Sequence, residues 1–313
     1  MIILRLMKIL FLVLLGFAAY FQNFAQNSDS LAGTGNRSIT LSVVVINNKL
    51  NVPLFINRIK NDSSFYKAFR NLHILGFSAI NDIRLDKSDG EARATLKSIT
   101  RQTRDRDCRK METLSEQVTG DMYTEDHQFN YYTAQLYASL FFTRDSVCGE
   151  DNIVAGREFS TSGKSGMEKH KEQLRMLFFN PGKKISGIPF ISSKTAIFDE
   201  DMAGKYDISI DMQIHNNTNC YMLTQKVKPE FHNDVVVDEM TTWFDDRSHE
   251  VMARTYTLSY DAGVYDFKVS MEVQLSRFKE YLVPVLIRYT GNWKAVFRKR
   301  ERGVFTATLY DFK

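Results

Sequence analysis

The chain has 313 residues, of which 43% are hydrophobic, 12% aromatic and 25% charged, and its formal net charge is +4. That much apolar residue can bury a sizeable core, which excludes a disordered or fibrous chain. Both basic stretches are interrupted, Arg101 to Lys110 by Asp105 and Asp107 and Arg298 to Arg302 by Glu301, so they read as solvated strand ends and no nucleic-acid partner is expected.

Met1 to Ala25 carries Arg5 and Lys8 and then an uncharged run, Ile9 to Ala19, whose length suits the core of a secretory signal better than a bilayer span. The expectation is an exported, periplasmic protein. Asn23-Phe24-Ala25 is a poor small-x-small site, so both cleavage near Ala25 and retention as an N-terminal anchor stay open. Membrane contact is then peripheral or through the uncleaved segment. Removing the segment takes two positive charges from +4 and leaves +2.

The three cysteines, Cys108, Cys148 and Cys220, would meet an oxidising compartment. Cys108 and Cys148 sit beside charged or turn-like residues flanking one segment and are expected to pair. Cys220 is left free.

Gln26 to Arg37 is polar and contains Gly33 and Gly35, which reads as a flexible leader before a single β-rich domain over 38–313. Ser38 to Ile46 predicts a first strand. Asp62 or Ser63 can cap a helix through Leu75, with Phe65, Phe69, Leu72 and Leu75 at helical spacing. Phe77 to Leu85 and Ala92 to Thr100 alternate on either side of Lys87-Ser88-Asp89-Gly90, which predicts a hairpin with glycine placed for positive φ. The small residues Ala79, Ala92 and Ala94 imply a helix packed close against it.

The helical region is placed at 126–179. Asp126 is read as the cap of a helix through Phe142, with Phe129, Tyr132, Thr133, Leu136 and Leu140 on one stripe and Tyr131, Tyr137, Phe141 and Phe142 on its other sides. A helix apolar on most sides is a central helix wrapped by sheet; its aromatics can also line a pocket for an apolar ligand. Gly163-Lys164-Ser165 lacks the earlier glycine of a phosphate-binding loop, since Glu158 stands there, and Ser165 with Glu168 instead forms a capping box for a helix through Phe179.

From Tyr206 onward the alternation test gives about seven strands. They are Tyr206 to Ile214, Cys220 to Val227, Val235 to Phe244, Met252 to Tyr260, Tyr265 to Leu275, Val283 to Tyr289 with Trp293 to Phe297, and Val304 to Phe312. In the fifth, Tyr265, Phe267, Val269, Met271, Val273 and Leu275 share one face and the polar residues share the other. Asp261-Ala262-Gly263, Gly291-Asn292 and Arg302-Gly303 are read as turns. Pro284 makes its strand an edge or puts a bulge there.

No nucleophile elbow, metal-binding histidine pair or glycine-rich cofactor loop is present, so no catalytic residue, metal or cofactor is assigned. His215, His232 and His249 read as loop histidines. Trp243 and Trp293 read as the edge of a core or the mouth of a sheet cavity.

The run Thr242-Trp243-Phe244-Asp245, then Ala253 to Tyr260, Tyr265 to Leu275, and Val283-Pro284 leading into Gly291-Asn292-Trp293 resembles the LolA, LolB and RseB group of periplasmic lipoprotein carriers, over roughly Tyr206 to Phe312. The resemblance implies a strongly curved antiparallel sheet, a half-open barrel packed with two or three helices, that holds acyl chains in an apolar cavity. The long region 126–179 and the Cys108–Cys148 pair depart from that pattern. The function expected is a non-enzymatic cell-envelope protein binding a lipid, acyl chain or lipoprotein. Tyr132, Leu136 and Leu140 from the helix and Tyr256, Phe267 and Met271 from the sheet are the candidate ligand-binding residues. An envelope protein with a filled core, and an enzyme without a recognisable motif, are the alternatives.

Overall fold

Alternating apolar side chains in run after run can be satisfied only by strands that share a dry face, and the computed structural model puts all of them in one sheet. It describes residues 43–45, 50–154, 180–183, 194–261, 266–294 and 299–313. The segment 1–25, the leader 26–37 and the helix expected at 165–179 lie outside the described residues.

The strands are β1 (Val43–Val45), β2 (Phe77–Asp86), β3 (Ala92–Asp105), β4 (Cys108–Gly120), β5 (Ser146–Cys148), β6 (Tyr206–His215), β7 (Thr218–Val227), β8 (Val237–Asp245), β9 (Val251–Asp261), β10 (Asp266–Phe278), β11 (Tyr281–Lys294) and β12 (Glu301–Tyr310). Their order across the sheet is β1-β6-β7-β8-β9-β10-β11-β12-β2-β3-β4-β5. Only β1 with β6 is parallel; every other described pair is antiparallel. The end strands do not meet, so the sheet is open rather than a closed barrel.

Among the described residues, three helices of two or more turns share the core of one face: α1 (Val52–Asn61), α2 (Ser64–Asn71) and α3 (Tyr132–Phe141). A fourth, α4 (Glu200–Ala203), is a single turn. The curvature follows from what α2 touches. The Phe65 ring lies under Arg254 of β9, the Asn71 amide donates to the Leu282 carbonyl of β11, and Gln102 of β3 donates to the Leu72 carbonyl. From β9 to β3 a flat sheet would run roughly 24 Å at about 4.8 Å per strand. Phe65 to Leu72 spans only ~10 Å of helix. The sheet therefore bends around the helix, and its inner face and the helices share one core that includes Phe65, Tyr137, Ile83, Leu96, Phe244, Val273 and Phe305.

The alternation in β10 is realised: Val269, Met271, Val273 and Leu275 are buried while Lys268 and Ser270 are exposed. Pro284 sits at a bulge, since Leu275 pairs with Pro284 and Gln274 with Leu286. The hairpin of β2 and β3 turns through Gly90, whose φ is +88°.

Several expectations are corrected. Gly291 and Gly303 are not turns but lie inside β11 and β12. A Cβ on Gly291 would strike the Tyr289 ring, and one on Gly303 would come 2.8 Å from Thr133 Cγ2, so both glycines serve close approach. The helix expected from Asp126 begins at Tyr132, because residues before it form a turn with a Tyr123–Phe129 bridge. Helix α1 was not foreseen, although Asn51 Oδ1 accepts from Leu54 N at 3.2 Å and a proline stands in its first turn. Strand β4 was also missed: nearly all of it is exposed, so no burial alternation marks it. Ala92 is exposed, whereas Ala79 and Ala94 are buried.

Candidate functional site

The inner face of the sheet is walled by alternate residues of neighbouring strands. Tyr256 of β9 and Met271 of β10 are direct cross-strand partners, and the Tyr256 hydroxyl reaches Met271 Sδ at 3.3 Å. Both are about as buried as any core residue, at 3% exposure, and Leu136 of α3 is buried with them. These three candidates lie in the packed wall. Leu140 is half-buried and packs against the same core.

Tyr132 and Phe267 stand elsewhere, at one end of the inner face. Phe267 is the cross-strand partner of both Trp293 and Tyr260. The Tyr132 ring meets the Trp293 ring edge-on at 4.9 Å, and Trp293 Nε1 donates to Thr133 Oγ1 at 3.0 Å. Trp293 thus stands at the edge of the core, and its bond to α3 is not readable from spacing. Trp243 is on the outer face, stacked with His215 at 5.1 Å.

What fixes α3 there is a residue 168 positions away. Glu301 of β12 accepts from Tyr132 N, Thr133 N and Thr133 Oγ1, each at 2.9 Å, and caps the helix that lacks a local cap. A carboxylate at a helix N-terminus satisfies free N–H groups and complements the helix dipole.

Beside Phe267 lies an open cavity of about 450 Å³ whose lining includes Val235, Tyr260 and Phe267. His232, Asp261, Lys268 and Arg300 also line it, as do Ser259 and Asn292, the cross-strand partners of Lys268 on the sheet face opposite Phe267 and Tyr260. Arg300 is already held by Asp266 and by the Asn292 carbonyl oxygen of the side chain. Lys194 Nζ sits 5.0 Å from the Tyr260 ring centre. The volume falls within the roughly 300–1,000 Å³ usual for small-ligand pockets. A lining that mixes aromatic and charged residues suits an amphipathic molecule.

A second polar centre surrounds the cystines. Cys108 and Cys148 are opposite each other on β4 and β5 and are disulfide-bonded, with an S–S distance of 1.99 Å. Next to them Arg109 donates to Glu150, Gln102 and Thr143, and His73 Nδ1 lies 3.0 Å from Glu150. Burial alone would raise the Glu150 carboxyl, but hydrogen bonds from His73 and Arg109 hold it down at about 2. Burial, as the largest influence, pushes the His73 imidazole below its usual value. Cys220 is free and buried. Among the described residues no group of three or more His, Cys, Asp and Glu side chains could hold a metal ion, and no helix is long and apolar enough to cross a membrane.

No family model matches the chain, and no curated protein matches it. Among solved structures it is similar to an outer membrane lipoprotein-sorting protein domain from Vibrio parahaemolyticus, with 10% identity over 83% of this chain and 91% of that one and a TM-score of 0.27. It is also similar to a DUF1329 family protein from Desulfovibrio piger, with 10% identity over 80% of this chain and 93% of that one and a TM-score of 0.23.

Proposed function

We propose that the protein is a non-enzymatic component of the cell envelope that holds the apolar part of a lipid, acyl chain or lipoprotein at the open end of its inner face. The observation that carries this reading is the cavity whose lining combines Tyr260, Phe267 and Val235 with charged residues. Phe267 contacts the ligand directly, and Tyr132 supports that end of the face through Trp293. Leu136, Leu140, Tyr256 and Met271 form the packed wall behind them. Export through the N-terminal segment and a disulfide formed in an oxidising compartment are consistent parts of the same proposal.

The test is titration of the full chain, freed of lipid, with a dansyl-labelled fatty acid. Saturable fluorescence enhancement is expected, together with a loss of about tenfold or more in affinity in Phe267→Ser. That loss is equivalent to ~1.4 kcal/mol of the ~1.5–3 kcal/mol that burial of a Phe contributes. Absence of saturable binding, with no lipid retained in native mass spectrometry, would leave the second reading. That reading is an envelope interaction protein with a filled core, and the burial of Leu136, Tyr256 and Met271 favours it.

A further inference from the structure

Among the buried polar residues described, Arg254 is the single one that carries a charge, at 7% exposure on the inner face of β9. Its Nε donates to Thr242 Oγ1 at 2.9 Å, and its guanidinium carbon lies 4.2 Å from the Phe65 ring centre. No ion pair joins it to a carboxylate among the described residues. Asp62 acts on it only through its field, and both Asp62 oxygens are taken by Ser64. A cation removed from water is tolerated when a counter-charge and hydrogen bonds replace its hydration. Here the ring and one hydroxyl replace part of it, while Nη1 and Nη2 have no partner among the described residues.

A second observation lies on the same face. Thr242 pairs with Leu223 of β7, and two residues along that strand stands Gln225, the partner of Met240. Gln225 is fully buried, and neither its Nε2 nor its Oε1 has a hydrogen-bond partner. Native proteins rarely leave such a group unsatisfied unless something else supplies the bond. A guanidinium with two unpartnered nitrogens and an amide with an unsatisfied N–H, on one face of strands two apart in the sheet, are donors left without an acceptor among the described residues.

We propose that Arg254 anchors an oxyanion-binding site on the inner face, taking a carboxylate or phosphate group on its free Nη1 and Nη2 edge with the Gln225 amide as a neutral second donor. Planar oxyanions meet that edge through two parallel bonds, which a lysine could not reproduce. The site is distinct from the aromatic cavity, because Arg254 stands six residues back from Tyr260 along β9, about 20 Å at ~3.3 Å per residue. Its fate in experiment is therefore separable from that of the lipid-binding reading.

The experiment is calorimetric titration of the full chain with inorganic phosphate and with dodecyl phosphate, each against chloride at matched ionic strength. Saturable binding is expected in the wild type, weakened about tenfold or more in Arg254→Met, as loss of charge-assisted hydrogen bonds implies. Gln225→Leu should weaken it less. Equal affinity for both probes identifies a free oxyanion as the ligand; preference for dodecyl phosphate identifies a lipid headgroup. If Arg254→Met does not fold, Arg254→Lys replaces it and should still bind more weakly than wild type. No saturable phosphate binding by the wild type, or binding that the Arg254 variants leave unchanged, would overturn the proposal.

Discussion

The capping of α3 by Glu301 gives the sharpest test of how this fold is held together. Glu301→Ala removes the acceptor of three hydrogen bonds at 2.9 Å, two of them from the first N–H groups of a helix with no local cap. Loss of an N-cap acceptor costs about 1 kcal/mol, and loss of a negative charge at a helix N-terminus about 0.3–1 kcal/mol more at a partly exposed site. The Thr133 hydroxyl keeps the Trp293 indole as a neighbour, so its loss adds little. The sum is a destabilisation of roughly 1.3–2 kcal/mol. At about 2–4 °C per kcal/mol for a domain of this size, the melting temperature should fall by about 3–8 °C. Glu301→Gln keeps an acceptor and loses the charge, so it should fall about half as far. Thermal unfolding followed by far-UV circular dichroism measures both, and Trp293 fluorescence should shift in parallel because its indole bonds to the capped helix. A Glu301→Ala variant that melts within about 1 °C of wild type would refute the reasoning, since the cap would then be worth less than ~0.5 kcal/mol.

Three further outcomes are expected. Gly303→Ala should destabilise the protein by about 1–2 kcal/mol through the clash of its Cβ with Thr133 Cγ2, and by less in a Thr133→Ser background, which lacks that methyl; urea denaturation of the double-mutant cycle reads the difference. Glu150 has a folded pKa of about 2 against an ordinary value of 4.5, so its contribution is fully present above pH ~4.5 and is lost as pH falls toward 2. Discounted for its partial exposure that contribution is ~1–2 kcal/mol, and Glu150→Gln should flatten the pH dependence of stability in that window. Reduction of the Cys108–Cys148 bridge, which spans 40 residues, should cost about 3–4 kcal/mol in the chain-entropy account, seen as a lower melting temperature in dithiothreitol. An unchanged melting temperature with the thiols shown to be free would contradict it.

The strand interiors were legible because their information is local. In β10 each side chain's polarity matched the face it occupies, and Pro284 announced its bulge by lacking an N–H. Where the chain was misread, a local signal had a long-range cause. Gly291 and Gly303 look like turn residues, yet they are small because a tyrosine ring and a helix terminus lie against them. Asp126 looks like a cap, yet the cap comes from Glu301. Strand β4 carries no alternation because it lies near the sheet's edge with little to cover it.

The same division governs the site. Side-chain chemistry along the sequence sufficed to pick Phe267, Tyr256 and Met271 as one apolar face, since alternation in a strand needs no knowledge of what lies opposite. Which of them stays accessible depended on where α1, α2 and α3 settle on that face, and helix docking is decided by contacts between residues far apart in the chain. The sequence by itself determined the amphipathic strands and the apolar helices. Only the tertiary structure decided that Tyr256 and Met271 are packed away, that Phe267 borders a cavity, and that Arg254 is left inside with no ion pair among the described residues. Burial and pairing are properties of the space around a side chain, which its neighbours in sequence do not specify.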